Sequence, residues 1–373
     1  MWLKDIHCIS FRNFTHLELS LSPSINAIIG GNGQGKTNIL EGIFCLFTGS
    51  SFRTSDDSNL VQLEQDSFYL GGELEQQDRL LKLEVSFGKE AGKSRKVNGQ
   101  RNSVILKNAP LGIAVFSSYD LRLVQDGPFY RRSFLDDTCA LCVPGFAFLR
   151  SSYYRVLAHR NALLISAGKN HGRGFDTSME VWNEQYVEIG SKLIMSRLQI
   201  LAELARHLGA IIQDVTTEVR EMELVYKCSF LSGLSSPVKC SEVATTFRQK
   251  LEACRAEESE RGTSLIGPHR DEFRIVVNQV DQRFYGSHGQ QKAIAVALKL
   301  ARVMLMRTKL GSWPVVLLDD LFSDFDRCRQ ERLVSVLANQ GQLFVTVQDS
   351  SQLPHALKSK ARLFTVEHGQ VSV

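Results

Sequence analysis

Gly30-Gly31-Asn32-Gly33-Gln34-Gly35-Lys36-Thr37 stands between a short apolar run, Ser24-Ile25-Asn26-Ala27-Ile28-Ile29, and a longer one, Asn38-Ile39-Leu40-Glu41-Gly42-Ile43-Phe44-Cys45-Leu46-Phe47. The eight residues fit G-x-x-x-x-G-K-[ST], the run before them reads as a buried strand and the run after them as a helix. Strand, glycine loop and helix in this order favour a phosphate loop over a plain glycine-rich turn. In such a loop the backbone N–H groups close on phosphate oxygens, and the helix N-terminus adds its partial positive charge. Gly30 to Thr37 are therefore expected to hold a nucleoside triphosphate, with Lys36 reaching the β and γ phosphates and Thr37 holding Mg2+.

A second segment far along the chain completes the chemistry. Val315-Val316-Leu317-Leu318 is followed by Asp319-Asp320, and a buried strand ending in carboxylates suits a hard cation that takes oxygen ligands beside phosphates. Asp319 is expected in the metal shell. Asp320 is assigned to the general base or to positioning of water. The alternative is an acidic strand end that only caps the next turn. The long interval between loop and strand requires a large insertion within the nucleotide-binding domain.

The 373 residues suggest about two domains, one interrupted by the other. Hydrophobic residues at 43% and charged residues at 23% are ordinary for a globular protein, so disorder is not indicated. Met1-Trp2-Leu3-Lys4-Asp5-Ile6-His7 lacks the basic and apolar regions of a signal peptide, and no run reaches the roughly 18 apolar residues of a membrane span. The expected location is the cytoplasm, with no membrane partner. The eight cysteines are scattered and imply no disulfide framework; Cys139 and Cys142 read as two thiols on a helix, since no second pair stands at zinc-site distance. A net charge of +4 is a mild lean toward polyanions, so any DNA contact must come from local patches.

Short alternating runs, Ile6 to Phe11, Leu17 to Leu21 and Leu80 to Phe87, read as sheet strands, and Asn98-Gly99 as a hairpin turn among Lys93, Arg95, Lys96 and Arg101. This basic hairpin has two readings, a solvated surface or a phosphate contact. From about Arg131 the pattern turns helical. Ile194, Leu198, Leu201, Ala205, Leu208 and Ile212 keep coiled-coil spacing for under three heptads, too short for a long coiled coil. Gly168 to Gly174 reads as a loop between helices whose basic residues are a second candidate for phosphate contact. The expected organisation is an ATPase domain in two parts, 1–125 and 259–373, around an inserted helical lobe, 126–258.

In the C-terminal part, Ser287-x-Gly289-Gln290 opens a helix through Ile294, Ala297, Leu298, Ala301 and Leu305. Its hydroxyl and N-terminal amides suit a phosphate. The segment resembles the ABC-type signature, which implies that Ser287, Gly289 and Gln290 meet the γ phosphate held by another subunit's loop, so that ATP joins two molecules. Ser323-Asp324-Phe325-Asp326 follows as the D-loop.

The assembled pattern resembles the RecF family of DNA replication and repair proteins, relatives of the SMC-type ATPases without the long coiled coil. The resemblance rests on Phe11-Arg12-Asn13-Phe14, Gly31 to Asn38, Ser51-Phe52-Arg53-Thr54, Val115 to Leu121, Arg131 to Asp136, Gly267-Pro268-His269-Arg270-Asp271, Gly289-Gln290-Gln291-Lys292 and Leu317 to Asp320, and spans nearly the whole chain. It implies an α/β fold, an ABC/SMC-type P-loop ATPase head with a mixed sheet, plus the inserted, mainly helical second domain. It also implies weak ATP hydrolysis coupled to DNA binding and dimerisation. Gapped or double-stranded DNA, RecO and RecR mediators, RecA loading and the SOS response come with the family.

Some positions stay open. No transporter-type switch histidine follows the magnesium strand, which leaves Thr346 and Gln348 as candidate γ-phosphate sensors, and the glutamine loop is placed only in the region Ser117 to Asp120. Arg12 and Asn13 either contact adenine or ribose or form an ordinary surface turn. An ABC transporter subunit would bring the signature and magnesium strand closer to the loop. A nuclease of the overcoming-lysogenization type needs a further domain, whereas roughly fifty residues follow Asp320. A nucleotide-gated structural DNA clamp is the remaining alternative.

Overall fold

The computed structural model describes residues 1–77, 79–101, 111–167, 175–215, 219, 221–234, 238–322, 327–337 and 341–372. The Ser323 to Asp326 segment and the Gly168 to Gly174 loop lie outside them. The chain divides into two compact units, Met1–Asp120 with Asp214–Thr217 and Arg302–Val373, and Leu121–Gln213 with Glu218–Ala301.

The first unit contains two sheets. Asn26 apart, the run at Ile25–Ile29 is apolar, and it forms a strand with parallel partners on both sides, Leu343–Val347 and Ala361–Glu367. Val315–Leu318 and then Ile113–Phe116 extend the sheet in parallel, and Gln370–Ser372 closes the opposite edge antiparallel. The central strands are buried along almost their whole length, as apolar runs in a parallel sheet should be. Ile29 and Leu318 therefore end on the same edge, where loops leaving a parallel sheet gather ligand-binding groups.

The second sheet is antiparallel and runs Phe14–Ser20, Asp5–Phe11, Ser67–Gln76, Arg79–Gly88, Gly92–Val97, Gln100–Arg101, with Trp2–Leu3 also paired to Ser67–Gln76. Asn98 and Gly99 both take positive φ in its last turn, as an Asn-Gly hairpin requires. The helix Lys36–Thr48 touches strands of both sheets, and Ile39, Leu40, Ile43, Leu46 and Phe47 are buried in their shared core. Three of the basic hairpin's four cations are engaged within the unit, Arg101 by donating to the Ser94 hydroxyl at 3.1 Å. Arg95 donates to the carbonyls of Phe47 and Thr48, closing the C-terminus of that helix, and Lys93 pairs with Asp57 at 2.6 Å.

The second unit packs the helices Pro128–Cys142, Phe146–Ala167, Phe175–Val215 and Cys240–Arg261 with a three-stranded antiparallel sheet, Met222–Lys227, Glu272–Val277 and Val280–Asp281. Its limits differ from the boundaries expected at 125/126 and 258/259. Met222–Lys227 pairs residue for residue with Glu272–Val277, and these hydrogen bonds tie the chain beyond Arg261 to the unit as far as Ala301. On Phe175–Val215 the buried set is wider than a coiled-coil seam. Leu193, Ile200, Leu204 and Ile211 are buried beside Ile194, Leu198, Leu201, Leu208 and Ile212, which makes a broad core face. Cys139 and Cys142 are buried cysteines on Pro128–Cys142, neither in a disulfide, and the described residues hold no cluster able to bind a metal through three His, Cys, Asp or Glu side chains.

Candidate functional site

Three glycines shape the loop at the end of Ile25–Ile29. A Cβ on Gly30 would sit 2.4 Å from the Val366 carbonyl oxygen, and Gly33 and Gly35 have φ of 78° and 117°, values open to glycine. The loop is held from outside as well. Asn13 donates from Nδ2 to the Gln34 carbonyl at 3.0 Å and accepts from Asn38 Nδ2 at 2.8 Å, while the Gln34 side chain accepts the His368 N–H at 2.6 Å. Asn13 thus braces the loop. Arg12, its neighbour in the turn, forms a two-pronged pair with the fully buried Glu41 carboxylate, both bonds at 2.8 Å. Arg53 and Ser51 also donate to Glu41. Glu41 was missed from sequence; its signal was a carboxylate inside the apolar run of the loop helix.

Lys36 is buried, and its ammonium donates to the carbonyls of Gly30 at 2.6 Å and Gly31 at 2.8 Å. Burial pulls its pKa below the ordinary lysine value, against the opposing pull of Asp320 and Asp319. The Thr37 hydroxyl donates to Asp319 at 2.8 Å to Oδ1 and 3.1 Å to Oδ2, so residues 282 positions apart share one point. Burial raises the Asp319 pKa, with Asp320 adding to the rise; bonds from Thr37 and Thr346 and the charge of Arg53 oppose it. Asp320 has φ 48°, left-handed backbone for a residue with a side chain. The hydroxyls and carboxylates at this point are an oxygen-only donor set, which fits Mg2+; Thr37 and Asp319 would hold it.

The second unit places Ser287 at the start of the helix His288–Leu310. The Ser287 hydroxyl accepts the Gln290 N–H at 3.2 Å while the Gln290 side chain accepts the Ser287 N–H at 3.1 Å, a reciprocal N-terminal cap. Gly289 lies in that first turn, and Ser287 is exposed. Gln291 is buried, donating to the Gln282 carbonyl and accepting from Gln125, both at 2.8 Å, so it anchors the helix start. The Gly267 to Asp271 segment is fixed by buried groups of its own unit. Arg197 pairs with Asp136 at 2.7 and 2.9 Å and donates to the Pro268 carbonyl at 2.6 Å, Tyr226 donates to Asp271 at 2.9 Å, and His269 Nδ1 bonds to the Tyr153 hydroxyl at 2.9 Å. Burial lowers the His269 pKa to about 4.

The sequence family described as RecF/RecN/SMC N terminal domain matches residues 2–372. A DNA replication and repair protein RecF from Halothermothrix orenii is 36% identical over all of this chain and 99% of its own length, and one from Bacillus mycoides is 31% identical over 100% and 98%. A solved structure of the recombination mediator protein RecF with ATP, in the RecFOR pathway, superposes with a TM-score of 0.90 at 28% identity, covering 100% of this chain and 97% of that one. An Smc head bound to the C-terminal winged-helix domain of ScpA superposes at 0.57 with 14% identity, over 100% and 96% of the chains, and shows the shared fold. The architecture is that of an ABC/SMC-type P-loop ATPase head with a mixed α/β fold. Within that class, the chain belongs to the RecF family of DNA replication and repair proteins.

Proposed function

We propose that this chain is an ATP-dependent DNA-binding protein of recombinational gap repair and replication restart. It binds single-strand gaps and duplex junctions as an ATP-gated dimer, and it aids RecO- and RecR-mediated loading of RecA in the damage response. The observation that supports this most directly is the 2.8 Å bond between Thr37 and Asp319, which brings a phosphate-loop hydroxyl and a strand-end carboxylate to one oxygen-lined point. The proposed ATPase domain comprises 1–125 and 259–373 around the lobe 126–258, a functional division that does not coincide with the two compact units.

In this reading Gly30 to Gly35 offer backbone N–H groups to the phosphates, and Lys36 exchanges its bonds to Gly30 and Gly31 for phosphate oxygens. Mg2+, when bound, supplies neutralisation of the developing phosphoryl charge. Asp320 orients the attacking water or takes its proton, and slow turnover is expected. Ser287 acts across the dimer. Its cap uses the hydroxyl oxygen as acceptor, which leaves the hydroxyl proton for a phosphate oxygen of the partner's nucleotide.

Sedimentation with ATP, with ADP and with neither, each with and without gapped duplex DNA, tests the whole reading. The expected result is a dimer with ATP alone among the three conditions, and DNA bound by that dimer. Ser287→Arg should keep monomer nucleotide binding and lose dimerisation and hydrolysis. A Ser287→Arg protein that dimerises and hydrolyses at the wild-type rate overturns the ABC-type sandwich.

A further inference from the structure

Leu343-Phe344-Val345-Thr346-Val347 is a fully buried strand with one polar side chain, and Thr346 is 0% exposed. A hydroxyl in such a place costs stability unless it is bonded. Its Oγ1 donates to Asp319 Oδ1 at 3.0 Å and accepts the Asp320 N–H at 2.8 Å. One hydroxyl carries one proton and two lone pairs, so the two bonds are compatible and occur together. The Leu318 carbonyl, at 3.5 Å, is the weaker claimant for that proton.

Two consequences follow from the geometry. The bond to the Asp320 N–H braces a residue at φ 48°, where backbone other than glycine is costly to hold. The second concerns Asp319 Oδ1, which accepts from both Thr37 and Thr346. A hydroxyl that ligates a cation offers a lone pair and keeps its proton, so Thr37 can serve Mg2+ while it shares Asp319 with Thr346. Thr37 belongs to the loop helix Lys36–Thr48 and Thr346 to the buried strand Leu343–Val347, so the second hold on Asp319 comes from outside the phosphate loop.

We infer that Thr346 is a positioning residue of the ATPase site, holding the Asp319 carboxylate and the Asp320 backbone in one arrangement from a buried strand outside the phosphate loop. The inference rests on the proposed nucleotide reading of this site. It also replaces the expectation that Thr346 senses the γ phosphate, because its proton and an acceptor lone pair are directed to the two aspartates.

The test compares Thr346→Val, which removes the hydroxyl at nearly constant shape, with Thr346→Ser, which keeps it. Retention of a fluorescent ATP analogue is titrated with Mg2+, alongside kcat, KM and the thermal midpoint. Thr346→Val should raise the Mg2+ midpoint by about tenfold, the loss of one hydrogen bond to a charged group, and lower kcat with KM for the Mg2+–ATP complex little changed. Nucleotide binding in chelator should stay at the wild-type level, and Thr346→Ser should lie near wild type throughout. A Thr346→Val protein with the wild-type Mg2+ midpoint and kcat overturns the inference, as does one that only melts earlier. If Thr346→Val does not fold, Thr346→Cys, with its weak donor, carries the same comparison. Wild-type protein that binds the analogue without any response to Mg2+ instead overturns the nucleotide-site reading itself.

Discussion

The buried arginines of the second unit and the buried Lys36 of the first are held in opposite ways, although the first unit also keeps a closed pair, Glu41 with Arg12. In the second unit Arg160 and Arg197 are 2% and 1% exposed, and each is tied to fixed partners: Arg160 to Asn183, Ser264 and Glu258, Arg197 to Asp136 and the Pro268 carbonyl. In the first unit Lys36 is held by carbonyls of its own loop, and Thr37 by a carboxylate that suits a cation. The contrast teaches that buried charge alone does not mark a ligand site. What marks one is charge whose present partners a ligand can replace.

Breaking a closed pair should have the largest effect. Arg197→Met leaves Asp136 buried without its partner, and such losses cost about 3–5 kcal/mol. Denaturant unfolding should show that loss while the folded fraction keeps its nucleotide affinity; Asp136→Leu added to it should recover much of the stability. Lys36→Met is the opposite case. Its nucleotide affinity should fall roughly a hundredfold, about 3 kcal/mol for a lost charged bond, with the thermal midpoint nearly unchanged. A midpoint drop as large as that of Arg197→Met would erase the distinction.

Acid should also separate the two units. His269 titrates at about 4 in the fold against 6.5 when unfolded, so the unfolded chain takes up the proton first. Its contribution is fully present above pH 6.5 and is lost as pH falls toward 4, about 2 kcal/mol in total after allowing for partial solvent screening. Hydrogen exchange should therefore rise first in peptides of the second unit, and His269→Gln should flatten the response. The smallest effect is expected at Asp319, whose pKa shifts the other way. The folded state holds its proton more tightly, so without nucleotide or cation its ionisation costs stability as pH rises through the folded value. Asp319→Asn should then melt slightly higher than wild type at neutral pH, with the gap closing in acid and Mg2+ stabilising wild type alone.

What the sequence disclosed was local. Strand, glycine loop and helix are consecutive, so the run from Ile25 to Thr48 could be read at once, and four apolar residues before Asp319 marked a buried strand. Long-range pairing was less visible. Arg12 stands 29 positions from Glu41 and Arg197 61 from Asp136, and no spacing rule connects them. Asn13 was weighed for nucleotide contact because it is a polar residue in a turn; only the fold shows it bonded to Gln34 and Asn38. The limits of the second unit were hidden for a similar reason, since the pairing of Met222–Lys227 with Glu272–Val277 leaves no local signature.

The strand Ile25–Ile29 takes both its neighbours, Leu343–Val347 and Ala361–Glu367, from the far end of the chain. On a ribosome making about 5–20 residues per second, the phosphate-loop strand therefore waits some tens of seconds with both edges unpaired, the condition in which strands recruit other chains. The antiparallel sheet, whose pairings all lie within the first 101 residues, is complete by then and can shelter the helix Lys36–Thr48 in the meantime. Because Val366 and His368 stand against the loop, the grip on phosphate proposed for it would be acquired only once this distant segment is made, long after the loop's own residues.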